Sequence, residues 1–118
     1  MDTSIDDVAN MLSSAWELAG AEVRYSGRYP GWKPNPDSPI VLLMSDVYRD
    51  IFGRDPRVAA IHAGLECGTI YGTYPNLDMI SIGPTMEGVH SVNERLFVPG
   101  VQKTMDLLVE TLRRIPVK

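Results

Sequence analysis

The sequence is poor in the features of secreted and membrane proteins. It has one cysteine among 118 residues, so no internal disulfide can form. It shows no signal-peptide pattern, and no apolar run approaches the roughly 18 residues that a membrane-spanning helix requires. We therefore expect a soluble protein of the reducing cytoplasm that does not bind a membrane.

Clusters of positive charge and several common catalytic motifs are also missing. The 15 acidic residues outnumber the 11 basic ones, which gives a net charge of -4. Because no group of Lys and Arg is interleaved with aromatic residues, nucleic-acid binding is not expected. The chain has no G-x-S-x-G, P-loop or G-x-G-x-x-G, so acyl-serine, nucleotide and dinucleotide chemistries lack their usual motifs.

What the chain contains is the pattern of one small α/β domain, with 44% hydrophobic residues. Apolar residues at helical spacing predict helices over residues 4–20, with Ser4 as its cap, over 38–53, and from 99 onward. Short β-compatible runs predict strands over residues 21–25, 57–63 and 79–82. The expected architecture is helices packed on a small mixed sheet, and the last helix is expected to pack there through an apolar stripe made of Val101, Met105, Leu108, Leu112 and Ile115.

A change of composition divides the chain after the first predicted strand. Four prolines and two glycines lie among the fourteen residues 26–39, so neither a helix nor a central strand can persist there. This segment is the best candidate for a domain boundary. The long segments that follow the two later predicted strands, near residues 64–78 and 83–98, are expected to be loops that carry function.

Three polar residues in these loops are candidates for a site. His90 follows a Gly-Pro turn, and a neutral imidazole on such a loop is a good zinc ligand. His62 ends a predicted strand, and Glu66 lies between Gly64 and Gly68, where a carboxylate could receive a substrate ammonium group. The alternatives remain open: His90 as a surface histidine, His62 as a hydrogen-bonded core group, and Glu66 as an exposed loop acid.

Longer stretches of the sequence favour a functional role over a purely structural one for these three residues. HAGLECG at residues 62–68 and DMISIGPTMEGVHSVNER at 78–95 closely resemble the C-terminal part of the aminoacyl-histidine dipeptidases, carnosinase-like enzymes of the di-zinc metallopeptidase class. LAGAEVRYSGRYPGWKPNPDSPI at 18–40 resembles the same family. The resemblance therefore covers nearly the whole chain.

The resemblance implies a division of the chain and a set of roles. Residues 1–26 match the end of an inserted lid domain that mediates dimerisation, 27–36 a crossing segment, and 37–118 the C-terminal part of the catalytic domain. The family's last zinc ligand falls on His90, and Glu66 and His62 would contribute to recognition of the dipeptide. The intact enzyme would hold two zinc ions, and a homo-oligomer is expected.

The chain departs from the family's pattern in two ways. It contains no H-x-D and no Glu-Glu, the motifs that supply the family's other metal ligands and its general base, so no catalytic residue is assigned here. Val92 also replaces the proline expected after the His-Ser pair. We therefore expect a fragment of a metallodipeptidase that is inactive alone. The alternatives are a non-catalytic interaction or dimerisation module and a small-molecule-binding domain with a pocket around His62 and Glu66.

Overall fold

The structure is a computed structural model that describes residues 2–61 and 66–117. The elements follow in the order α1 (Asp2–Leu18), α2 (Pro39–Phe52), α3 (Glu66–Thr73), β1 (Met86–Glu87), β2 (Arg95–Leu96) and α4 (Val98–Arg114). They fall into two compact units, one of residues 1–34 and 61–77 and one of residues 35–60 and 78–118. Within the described ranges, no helix is long and apolar enough to cross a membrane.

Helix α2 forms where local signals predict it. Ser38 has an extended backbone, and its hydroxyl accepts a hydrogen bond from the Val41 N–H at 3.3 Å, so it caps the helix. Pro39 occupies the first turn, where its missing N–H costs nothing. Gly53 ends the helix in the left-handed conformation at φ 67°, and its N–H donates to the Arg49 carbonyl.

Helices α2 and α4 build the core of the second unit. Met44 and Val47 of α2 pack with Leu107 of α4, and Ile80 packs against this cluster from the segment before the sheet. The α4 face that is buried carries Gly100, Leu107 and Thr111, not the predicted apolar stripe. The Thr111 hydroxyl donates a hydrogen bond to the Leu107 carbonyl at 2.7 Å, so this small polar side chain can be buried without an unpaired donor.

The apolar stripe of α4 therefore remains largely outside the core. Met105 is 46% exposed, Leu112 58% and Ile115 42%. The expectation that this stripe packs on the sheet is wrong, because the sheet that forms is a short hairpin and the helix instead contacts α2. Gly100 on the buried face lets the start of α4 lie close to the segment before β1, since a Cβ at Gly100 would lie 3.3 Å from the Thr85 nitrogen.

In the described part of the chain, the sheet is smaller than predicted and is antiparallel, not mixed. Strands β1 and β2 pair antiparallel, with Met86 opposite Leu96 and Glu87 opposite Arg95. Helices with a small sheet confirm the α/β class. Within the described residues, the segments predicted as strands at 21–25, 57–61 and 79–82 are not paired, because a strand needs a neighbour to complete its ladder and none lies beside them.

The first unit contains α1 and α3. Helix α1 begins before Ser4, so Ser4 is a helical residue and not the predicted cap; Gly20, at φ 83°, ends the helix as expected. The chain then runs back along α1: Arg28 forms two hydrogen bonds to the Asp6 carboxylate, and the Tyr25 hydroxyl donates to the Ala9 carbonyl.

Helix α3 occupies part of the segment predicted to be a loop. Its glycines allow close packing against the proline-rich segment, since a Cβ at Gly68 would lie 2.7 Å from the Pro30 carbonyl oxygen and one at Gly72 2.6 Å from the Pro30 ring. Helix-weakening glycines obscured this helix in the sequence. Elsewhere, the described residues of the segment 26–37 form neither helix nor strand, as predicted.

Candidate functional site

His90 lies in the turn that joins β1 to β2. The turn begins with Gly88, and the Ser91 N–H donates to the Gly88 carbonyl at 3.1 Å, which closes a four-residue turn with His90 in its third position. The Ser91 hydroxyl donates to the same carbonyl at 2.6 Å. A second turn follows, in which the Glu94 N–H donates to the Ser91 carbonyl at 3.1 Å.

The backbone of His90 is in the left-handed region, at φ 63°, and is the only non-glycine residue in that region within the described chain. This conformation costs an L-residue about 1–2 kcal/mol, although histidine adopts it more often than most residues. Gly and Asn are the usual residues at the third position of such a turn. A strained residue that carries a metal-binding side chain is a candidate for function.

The side chain of His90 is exposed. It is therefore accessible to a ligand or to further protein, and it is not a buried core group. Its backbone N–H donates to the Glu94 carboxylate at 2.9 Å. Val92, at the position where the family pattern has proline, is fully exposed and contributes no packing to the turn.

Gly88 is required by the close approach of the two sides of the turn. Its φ is 61°, and a Cβ at this position would lie 3.0 Å from the Asn93 carbonyl oxygen. At the base of the turn, Arg95 forms an ion pair with Glu87 at 3.2 Å across the β1–β2 pair. The hairpin therefore presents His90 at its tip, where hydrogen bonds of the two successive turns hold the backbone.

Among the residues that the structure describes, the donors near His90 do not make a complete metal site. Within the described chain, no group of three or more His, Cys, Asp and Glu side chains is placed to hold a metal ion. A zinc site needs three or four donors, and one oxygen of the Glu94 carboxylate already accepts the His90 N–H. His90 fits as a single ligand, and the described residues alone do not fit a zinc ion.

The other two predicted site residues are placed differently. Glu66 is the first residue of α3 and is exposed, so it opens a helix and does not sit in the loop predicted for it. A carboxylate in the first turn is favourable to the helix dipole, which gives Glu66 a structural role whether or not it binds a substrate. His62 lies outside the described residues. Glu66 and His90 belong to different units.

Asp78 is a residue that the sequence did not single out. Its carboxylate accepts a hydrogen bond from the Ser38 hydroxyl at 2.5 Å and another from the Ile40 N–H at 2.9 Å. It thereby ties the start of the segment that leads to the hairpin to the N-terminus of α2. Only the contact between residues 40 positions apart reveals this, and no local pattern signals it.

Ionic groups join α2 to α4. Arg114 bonds Asp50 of α2 and Glu110 of its own helix. Hydrogen bonds from Arg114 and Arg113 lower the pKa of Glu110, and the bond to Asp50, followed by the bond to Glu110, raises the pKa of Arg114. These groups are structural in character, because each positive charge has an acidic partner.

Comparison with known proteins shows what the chain is similar to. No protein-family model matches the chain. The chain is 43% identical over all 118 of its residues to the cytosol non-specific dipeptidase of Escherichia coli (strain K12). It also superposes along its whole length on the crystal structure of aminoacylhistidine dipeptidase from Vibrio alginolyticus, with a TM-score of 0.77 and 46% identity.

The chain spans 24% of the length of each of these two relatives. The predicted resemblance to the aminoacyl-histidine dipeptidases is confirmed, since both relatives are dipeptidases and both match the full chain. The predicted boundaries at residues 26 and 36 stay a prediction: compact units are defined by proximity within this chain and do not delimit the domains of a protein four times as long.

Proposed function

Because this chain is a relative of the aminoacyl-histidine dipeptidases over its whole length, we propose that it is the closing part of a metal-dependent dipeptidase that hydrolyses Xaa-His dipeptides. In the intact enzyme two bound zinc ions would supply the chemistry of an activated water for this reaction. His90 provides one metal ligand, and the remaining ligands and the general base lie in the part of the enzyme that has no counterpart here. The cytoplasm is the proposed location, as the name of the E. coli relative suggests.

The observation that carries this proposal is the setting of His90. Its side chain is exposed, its backbone adopts a conformation that favours glycine, and hydrogen bonds from both sides of the turn hold it there. Residues with such a backbone cluster at functional sites, so the conformation of His90 supports a role for it. Glu66 and His62 are proposed to contribute to dipeptide recognition, and Glu66 is accessible for that purpose.

The same setting predicts that the chain alone has no peptidase activity. A single imidazole binds zinc weakly, because three or four donors are needed to offset the dehydration of the ion. An alternative function as a non-catalytic dimerisation module is favoured by the exposed apolar face of α1, which carries Ile5, Val8 and Leu12.

Complementation separates these functions. The chain is co-expressed with the part of the E. coli dipeptidase that it does not match, and hydrolysis of an Xaa-His dipeptide is measured with added zinc. We expect activity from the pair and none from either part. His90→Asn tolerates the left-handed backbone but removes the imidazole. It should lower activity at least about 100-fold, because losing even a residue that hydrogen-bonds to a metal ligand typically costs about 10–100-fold.

A matched control is Val92→Ala, which changes an exposed side chain in the same turn and should leave the activity of the pair unchanged. Turnover by the purified chain alone, or full activity of the pair with His90→Asn, would contradict the proposal. A pair that co-purifies with folded partners but has no activity would favour the dimerisation module.

A further inference from the structure

We infer that Glu94 is a positioning residue for His90: its carboxylate accepts the His90 N–H and so keeps residue 90 in the left-handed conformation that presents the imidazole. The bond measures 2.9 Å from the backbone nitrogen to Oε2 and spans the tip of the hairpin. This inference rests on the proposed function for what the imidazole does, but the conformation itself is independent of metal and substrate.

The backbone of the turn explains why such an acceptor is needed. Ser91 bonds back to Gly88 and Glu94 bonds back to Ser91, so the N–H of His90 closes neither turn, and it donates to a side chain instead. Glu94 supplies the acceptor from four residues further along the chain. A left-handed histidine is unfavourable by itself, so a hydrogen bond made in this conformation shifts the backbone equilibrium toward it.

The position of Glu94 suits this role. Its own N–H is bonded to the Ser91 carbonyl, and Arg95, the next residue, pairs with Glu87 in the β1–β2 ladder. The backbone that carries the acceptor is therefore fixed at both ends of the second turn. Glu94 is exposed, so it neither fills the core nor supports the packing of α4.

The test is an NMR measurement on the full 118-residue chain without metal. When φ lies near +60°, the amide and Hα protons of a residue are close, and their NOE is strong. Glu94→Ala should weaken this NOE at His90 and speed exchange of the His90 amide roughly fivefold, the effect of losing one hydrogen bond of typical strength. Glu94→Gln keeps an acceptor oxygen and should behave like the parent chain.

Two controls show whether the effect of Glu94→Ala is specific to His90. Glu87→Ala removes another exposed hairpin carboxylate, one that bonds Arg95 and not His90, and should leave the His90 NOE intact. The Phe97 amide, bonded to the Thr85 carbonyl at 2.9 Å, reports on the hairpin as a whole and should exchange at an unchanged rate in Glu94→Ala.

Three results would overturn the inference: an unaltered His90 NOE and exchange rate in Glu94→Ala, the same acceleration at Phe97 as at His90, or a Glu94→Gln chain that behaves like Glu94→Ala. If the NMR results are as expected but His90 proves dispensable in the complemented enzyme, the proposed function fails while the role of Glu94 in the turn stands.

Discussion

Asp78 shows how much a single side chain can organise in this chain. Its two oxygens serve two donors at the start of α2, the Ser38 hydroxyl and the Ile40 N–H. Ser38, only 1% exposed, uses its oxygen in turn to cap the helix at Val41. The position of Asp78 thus links the cap of α2 to the chain that continues through Ile80, a contact of the core, toward the hairpin.

Replacing Asp78 tests this link. We expect Asp78→Ala to lower the free energy of unfolding by about 1 kcal/mol, near the middle of the range for lost caps, because Asp78 is exposed and water replaces part of what is lost. Asp78→Asn keeps an acceptor for Ser38 but offers an N–H₂ to the Ile40 N–H, so roughly half of the loss is expected. Urea denaturation followed by circular dichroism measures both, and equal stability of all three chains would contradict the link.

Ion pairs as well as apolar packing join α2 to α4. Arg114 bonds Asp50 on α2 and Glu110 on α4, and hydrogen bonds from Arg114 and Arg113 lower the pKa of Glu110. A carboxylate whose pKa is lower in the folded state binds fewer protons there than in the unfolded chain. It therefore stabilises the fold above its unfolded pKa, and this contribution is lost as the pH falls through the folded pKa.

Because the pKa of Glu110 is lowered in the folded state, the contact between α2 and α4 is expected to weaken in acid. Between pH 7 and about pH 3, which spans the ordinary pKa of glutamate near 4.3 and the range below it, the parent chain should lose more thermal stability than Glu110→Gln. The comparison is made by melting both chains at closely spaced pH values. Glu94→Gln, which removes an exposed carboxylate outside this network, is the control and should follow the parent. Parallel pH profiles for the parent and Glu110→Gln would show that the ion pairs contribute nothing.

At the scale of the whole molecule, the exposed apolar surface is large relative to the small buried core. Among the described residues, the buried apolar side chains are Val41, Met44, Val47 and Leu107. By contrast, Val8, Leu12 and Leu112 are each more than half exposed. Contiguous exposed apolar faces favour association, so the proposed homo-oligomer is expected to form through such faces.

Light scattering at increasing protein concentration tests association. We expect a mass above that of the monomer that rises with concentration, and Leu12→Lys on the apolar face of α1 should reduce it. Asn10→Lys places the same charge on the opposite side of the same helix and should not. A monodisperse monomer of the parent chain at high concentration would contradict the expectation.

The parts of this structure that the sequence could predict are those encoded by neighbouring residues. Helix α2 has its cap, its N-terminal proline and its terminal glycine within the helix or next to it, and all three act as predicted. The strands could not be placed in the same way, because pairing depends on residues distant in the chain or beyond it. The apolar stripe of α4 predicted an amphipathic helix correctly and its partner wrongly, since periodicity does not say what a face contacts.

The candidate site follows the same rule. His90 was identified by a family motif and lies exposed on a strained turn, whereas its contact with Glu94 needs coordinates to be seen. Helix α3 was missed because Gly68 and Gly72 lower the helical propensity, and the reason for them is Pro30, far away in sequence.

That contact between α3 and Pro30 has a consequence for anyone who tries to strengthen the protein. Exchanging a helical glycine for alanine is a standard stabilising change, since alanine lowers the conformational entropy of the unfolded chain. Here the added methyl group at position 68 would collide with a peptide oxygen 2.7 Å away, a partner that cannot rotate aside. The substitution that stabilises most helices would therefore separate α3 from Pro30. Any engineered variant should keep both Gly68 and Gly72.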